Sequence, residues 1–192
     1  DESGNHFESY DLIGTKHKVH SPSGIDEVYP EDLKNYKIFS RRELNENISD
    51  INNLQNKSIY VSRISSILDE SKINSNNVIW TSGLRTWKNL VERGIWVNGT
   101  SDSLGEDFEN NINSLTNNPW VKLTHKQSPE SSIKNKIETY QLEPIDFEID
   151  IEKKKYFYWM SSSAFKASID KYPIIKEKYH FCGPGNTYNE IY

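Results

Sequence analysis

The sequence predicts an α/β protein of two lobes, each a parallel sheet flanked by helices, and three observations carry that expectation. Short apolar or aromatic runs alternate with amphipathic stretches, the order in which strands feed crossover helices. One unit occurs twice, from Val78 and again from Tyr156: strand, polar turn, helix, strand, glycine turn, helix. The turns of both copies follow the carboxyl ends of strands, where open α/β sheets bind ligands.

Residues 1–35 are polar and broken by Ser-Pro-Ser-Gly and Pro30, so they read as a leading segment or linker with at most a short strand at Tyr10–Ile13. Tyr36–Ser40 and Ser58–Arg63 are short strands rich in aromatic or β-branched residues, with a weak helix expected over Glu43–Leu54 between them. Val78-Ile79-Trp80 is the apolar run of a buried parallel strand, broken by Thr81-Ser82-Gly83. Leu84, Trp87, Leu90 and Val91 then recur at helical spacing until Gly94 stops the helix. Ile95-Trp96-Val97 is expected as the next strand, and Asn98–Asp102 as a turn into a helix over 103–115. Trp120–His125 and Glu138–Leu142 read as two more strands, the second entering a crossover at Glu143-Pro144. In the second copy, Tyr156–Met160 is the strand and Ser161-Ser162-Ser163 its turn. Phe165, Ile169 and Tyr172 mark a helix that Pro173 ends. Tyr179–Cys182 is the last strand, and Gly183–Thr187 turns into a helix from Tyr188. On this reading lobe A is 36–64 plus 142–192, and lobe B is 65–141.

A net charge of −5 argues against general nucleic-acid binding, which needs a basic face, although a local basic cluster remains compatible with a small polyanion. Cys182 is the only cysteine, so no disulfide framework or cysteine-based zinc site is expected, and the thiol reads as a small buried hydrophobe. No apolar run approaches the roughly 20 residues of a membrane span. The first residues lack the basic-then-apolar order of a secretion signal, so a cytoplasmic location and a loop role for Asn98-Gly99-Thr100 are expected. A start at Asp1 and a single methionine, Met160, read as a fragment of something longer. His6, His17, His20, His125 and His180 form no helical metal-ligand pair, and Gly183-Pro184-Gly185 lacks the spacing of a dinucleotide fingerprint. The five tryptophans are expected in core packing.

Four segments resemble the uroporphyrinogen-III synthase family. Val78–Gly83 (VIWTSG) looks like its first-half strand with a Thr-Ser-Pro-like turn, and Tyr156–Ser163 (YFYWMSSS) like the second-half counterpart. Glu138–Gln141 (ETYQ) resembles the strand ending in Tyr-Gln near the lobe crossover, and Cys182–Thr187 (CGPGNT) the Gly-Pro-Thr-Thr-type turn before the last helix. The resemblance implies a two-lobed fold whose cleft binds the linear tetrapyrrole hydroxymethylbilane. It further implies ring closure with loss of water and inversion of the terminal pyrrole, without a cofactor or metal, in tetrapyrrole biosynthesis. It implies hydroxymethylbilane synthase as a fused or associated partner; a monomer is expected, with no nucleic-acid or membrane partner.

A flexible polycarboxylate is cradled by helix N-termini and hydroxyls, which nominates Thr81, Ser82, Ser161, Ser163, Gly183 and Thr187 as substrate-binding. Simple helix capping by the same Ser and Thr residues is the alternative. Arg63 and Arg85, with Lys122, His125 and Lys126, are candidates to pair with carboxylates or to be solvated surface. Tyr140 is the candidate proton donor to the departing hydroxide, against an interlobe packing role. A non-catalytic tetrapyrrole or small-anion binding module of the same fold is the alternative to an enzyme.

Overall fold

The computed structural model describes residues 8–10, 16–18, 25–31, 37–107 and 116–192. The first two strands, β1 (Glu8–Tyr10) and β2 (Lys16–Lys18), pair antiparallel. β3 (Val28–Tyr29) belongs to a three-stranded sheet with β10 (Tyr156–Trp159) and β11 (Tyr179–Cys182), in the order β11-β10-β3 and parallel throughout. The other strands form a six-stranded sheet: β4 (Phe39–Glu43), β5 (Ser58–Val61), β6 (Val78–Thr81), β7 (Gly99–Thr100), β8 (Trp120–His125) and β9 (Lys136–Pro144). Their order is β4-β9-β8-β5-β6-β7, parallel except where edge strand β4 runs against β9. The chain is therefore α/β with mixed sheets, and of the two larger ones the six-stranded sheet is not purely parallel as expected.

The pleat of the larger sheet explains both its core and its polar side. Successive strand side chains point to opposite faces. Ile59 and Val61 on β5, Ile79 on β6, and Val121 and Leu123 on β8 share the face that packs against α1 (Ile48–Asn52) and α2 (Leu84–Glu92). Ile51 of α1 and Leu90 of α2 are fully buried there. Burying each such aliphatic side chain stabilises the fold by about 2 kcal/mol. The alternate residues, Tyr60, Lys122 and Thr124, point to the opposite face, where they line a cavity shared with the second sheet.

That second sheet has its own core. Phe157 and Trp159 are fully buried and stack at 5.7 Å between ring centroids, with Tyr29 of β3 at 5.5 and 5.9 Å and Phe165 edge-on to Trp159 at 5.5 Å. Phe165 lies on α3 (Ser162–Lys171), which ends before Pro173, and α4 (Asn186–Ile191) follows β11.

Four expectations about the elements and their grouping need correction. The strands at 39–43 and 58–61, expected in lobe A, belong to the larger sheet, with β5 central between β6 and β8 and buried at all four residues. Val28-Tyr29 is not linker: it pairs with Tyr156-Phe157, and Lys154 and Lys155 lock the entry by bonding the Asp26 carbonyl at 2.7 Å and the Glu27 carboxylate at 2.6 Å. Ile95-Trp96-Val97 forms no strand, and Trp96 is 79% exposed. Asn98 instead caps the sheet edge, exchanging bonds with both backbone groups of Ile79 at 2.8 Å, and β7 begins after it. At Gly99 a Cβ would lie 2.3 Å from the Trp80 ring, so only glycine lets the indole cover that strand. The helix expected over 103–115 does not begin at 103, because Asp102 and Ser103 take left-handed conformations; residues 108–115 lie outside those described. The expected strand at Tyr10–Ile13 overlaps β1 only at Tyr10; the rest also lies outside the described residues.

Candidate functional site

A cleft of about 450 Å³ opens between the two sheets at the carboxyl ends of β5, β6, β8 and β10. The larger sheet supplies a charged wall: Arg63 beyond β5, Arg85 in the first turn of α2, Lys122 and His125 on β8, and Tyr140 on β9. The smaller sheet supplies a neutral one, made of Ser161, Ser162 and Ser163 at the start of α3 with Gly183 and Thr187 around the turn into α4. The two walls touch at one end. Gly185 takes φ +90°, and a Cβ there would fall 2.7 Å from the Ser103 carbonyl oxygen, in a turn whose Ser103 N–H bonds the Ser82 carbonyl at 2.7 Å.

The helix starts differ in detail. Ser161 caps α3, its hydroxyl accepting from the Ala164 N–H at 3.3 Å, and Ser162 and Ser163, the next residues of that turn, line the cleft. Ser82 does not cap α2; its hydroxyl donates to the Ser62 carbonyl at 2.6 Å, and Gly83 holds the N-cap position without a side-chain bond. Gly83 therefore gives the first N–H groups of α2 no side-chain cap, and no acidic residue of α2 itself stands in that turn. Both ends carry the partial positive charge of a helix N-terminus.

Charge is concentrated on the larger wall. Partial desolvation lowers the proton affinity of the Arg63 guanidinium, opposed by Tyr140 and assisted by repulsion from Arg41 and Arg85. An arginine stays charged under such a shift. No carboxylate among the described residues pairs with any of these three arginines. Lys122 forms a buried ion pair with Glu106, so its charge is neutralised locally. Burial lowers the His125 pKa against the pull of a Gln127 hydrogen bond, with Arg63, Lys122 and Lys136 repelling the proton further; its Nδ1 is buried without a hydrogen-bond partner among the described residues. Burial followed by the Glu106 charge raises the Tyr60 phenol. Tyr140 packs its ring 5.6 Å from that of His125, and its hydroxyl makes no hydrogen bond among the described residues.

Ten of the twelve residues nominated from the sequence line this one cleft: Tyr140, Ser82, Ser161, Ser163, Gly183, Thr187, Arg63, Arg85, Lys122 and His125. Thr81 is the correction. It is fully buried, and its hydroxyl lies 3.4 Å from the Gly83 and Gly99 carbonyls, because the β6 pleat turns it into the core. Lys126 also falls outside the cleft lining, one residue beyond His125. Tyr60, Ser62, Ser103 and Glu106 line it without having been nominated; Tyr60 was legible from strand alternation, whereas Ser103 and Glu106 arrive through the irregular chain after β7. Cys182 packs beside the smaller core rather than in the cleft. Among the described residues no cluster of His, Cys, Asp and Glu is arranged to hold a metal ion, and no helix is long and apolar enough to cross a membrane. No protein-family model, curated protein or solved structure matches the chain.

Proposed function

We propose that this chain is a two-lobed uroporphyrinogen-III synthase that cyclises hydroxymethylbilane in the cleft between its sheets, without a cofactor. The observation that carries the reading is the convergence of ten residues, nominated from separated stretches of the sequence, on one cavity. The lining suits the ligand class. Helix N-termini and unpaired arginines attract carboxylates, while exposed Leu84, Tyr158 and Met160 offer apolar contact to pyrrole rings.

In this reading the carbon–oxygen bond of the hydroxymethyl group breaks, and the departing hydroxide takes the Tyr140 proton to leave as water. Arg63 stabilises the negative charge that develops on the phenol oxygen. The substituted α-carbon of the terminal ring bonds to the carbon that lost hydroxide, and its bond to the methylene of the neighbouring ring breaks. That methylene re-bonds at the ring's free α-carbon to leave the ring inverted, and the proton lost there as the pyrrole regains aromaticity returns to Tyr140. Folding the linear substrate so that its ends meet accounts for much of the rate.

Generating hydroxymethylbilane in the presence of the protein and resolving the oxidised products tests the reading. Type III uroporphyrin is expected; type I alone, the product of uncatalysed closure, would contradict it and favour a binding module. Tyr140→Phe is expected to slow type III formation about a hundredfold. An unchanged rate would remove Tyr140 from the chemistry.

A further inference from the structure

Behind Tyr140 the cleft continues into a recess of about 160 Å³. Its walls include Lys37 and Arg41, which do not line the main cleft, and it shares Arg63, His125, Tyr140, Ser161 and Ser163 with that cleft. Every ionisable side chain on the recess other than the Tyr140 phenol is basic; among the described residues no Asp or Glu lines it. Arg41 is exposed and has no ion-pair partner among the described residues, whereas its neighbour Arg42, on the other side of the same strand, bonds Glu143 at 2.9 Å.

Such a pocket stores repulsion. Two arginines and a lysine line a space too small for a tetrapyrrole, Arg63 is partly desolvated beside Arg41, and the buried His125 Nδ1 has no hydrogen-bond partner among the described residues. An anion entering the recess would neutralise the cations and receive charge-assisted hydrogen bonds from both guanidinium groups. We infer that the recess is a carboxylate subsite in which Arg41 and Arg63 hold one acid side chain of the ligand whose body occupies the main cleft. The identity of that ligand rests on the proposed synthase reading; the anion chemistry of the recess does not. The role assigned is positional. One anchored acid arm, reaching past Tyr140, fixes which end of a flexible polycarboxylate lies beside the phenol.

Titration of the whole protein with tricarballylate at constant ionic strength tests the subsite, followed by NMR of the His125 ring. Saturable binding is expected, weakened at least tenfold in Arg41→Gln and unchanged in Arg42→Gln. Arg41 is exposed, so its replacement leaves the core intact. Uroporphyrin, an octacarboxylate, is expected to compete with tricarballylate and to bind at least fivefold more weakly to Arg41→Gln. Absence of tricarballylate binding, or equal weakening by Arg42→Gln, would overturn the subsite. Tricarballylate binding without competition by uroporphyrin would also overturn it, since the recess would then be a free-anion site. If both ligands bind and compete through Arg41 but type III product never forms, the subsite stands and the synthase reading fails. If type III forms while Arg41→Gln alters neither affinity, the reverse holds.

Discussion

The two walls of the cleft grow from one strand–turn–helix pattern, β6 into α2 and β10 into α3, but they differ in chemistry. On the smaller sheet the serine of the turn caps its helix, and the wall offers hydroxyls and N–H groups over an aromatic core. On the larger sheet the equivalent serine bonds a neighbouring strand, the helix start stays uncapped, and arginine, lysine and histidine side chains gather around it. Repetition of a fold element thus fixes where a ligand can sit, while the residues grafted on each copy decide what it contributes. On the proposed reading one wall attracts anions at range and the other positions them at contact.

Substitutions that strike the two walls separately sharpen this contrast. The largest effect is expected from Lys122→Met, which leaves Glu106 buried without its ion-pair partner and costs about 3 kcal/mol, read as a fall in the urea midpoint. A midpoint equal to wild type would mean the pair contributes no net stability. Next comes Gly185→Ala, where the walls meet. The left-handed backbone and the collision with the Ser103 carbonyl predict a loss of about 2 kcal/mol, whereas Gly183→Ala, with open space around it, is expected to be nearly neutral. Equal losses at the two glycines would contradict the contact. Ser161→Ala removes the α3 cap and is expected to cost about 1 kcal/mol, and Ser161→Asp should restore capping.

The smallest effect concerns pH. Burial lowers the pKa values of both His125 and His180, so the folded chain holds fewer protons than the unfolded one near the ordinary imidazole range. Stability therefore declines as pH falls through that range, and the decline ends below the folded values. His125→Gln is expected to reduce the drop in melting temperature between pH 7 and pH 5. A variant with an undiminished drop would place the acid sensitivity elsewhere.

Most strands and helices were legible because the apolar period changes sharply at polar turns. Trp120–His125 and Tyr179–Cys182 fall at the predicted positions, and Pro173 ends α3 as a missing N–H requires. Sheet membership was not legible. Which strands pair is decided by long-range contacts, and neither the central place of β5 nor the pairing of Val28-Tyr29 leaves a periodic signature. Thr81 was misplaced for a related reason: a turn motif does not reveal which face the pleat presents. Arg41 escaped notice because it lies on an exposed edge strand, where arginine is unremarkable until the second sheet closes a recess around it.

Whether both walls hold one ligand is tested most directly by backbone amide NMR during a uroporphyrin titration. The N–H signals of Leu84, Arg85 and Thr86 on α2 and of Ser162 and Ser163 on α3 are expected to move together along one binding curve. Movement on only one helix, or two curves with different midpoints, would contradict a shared ligand.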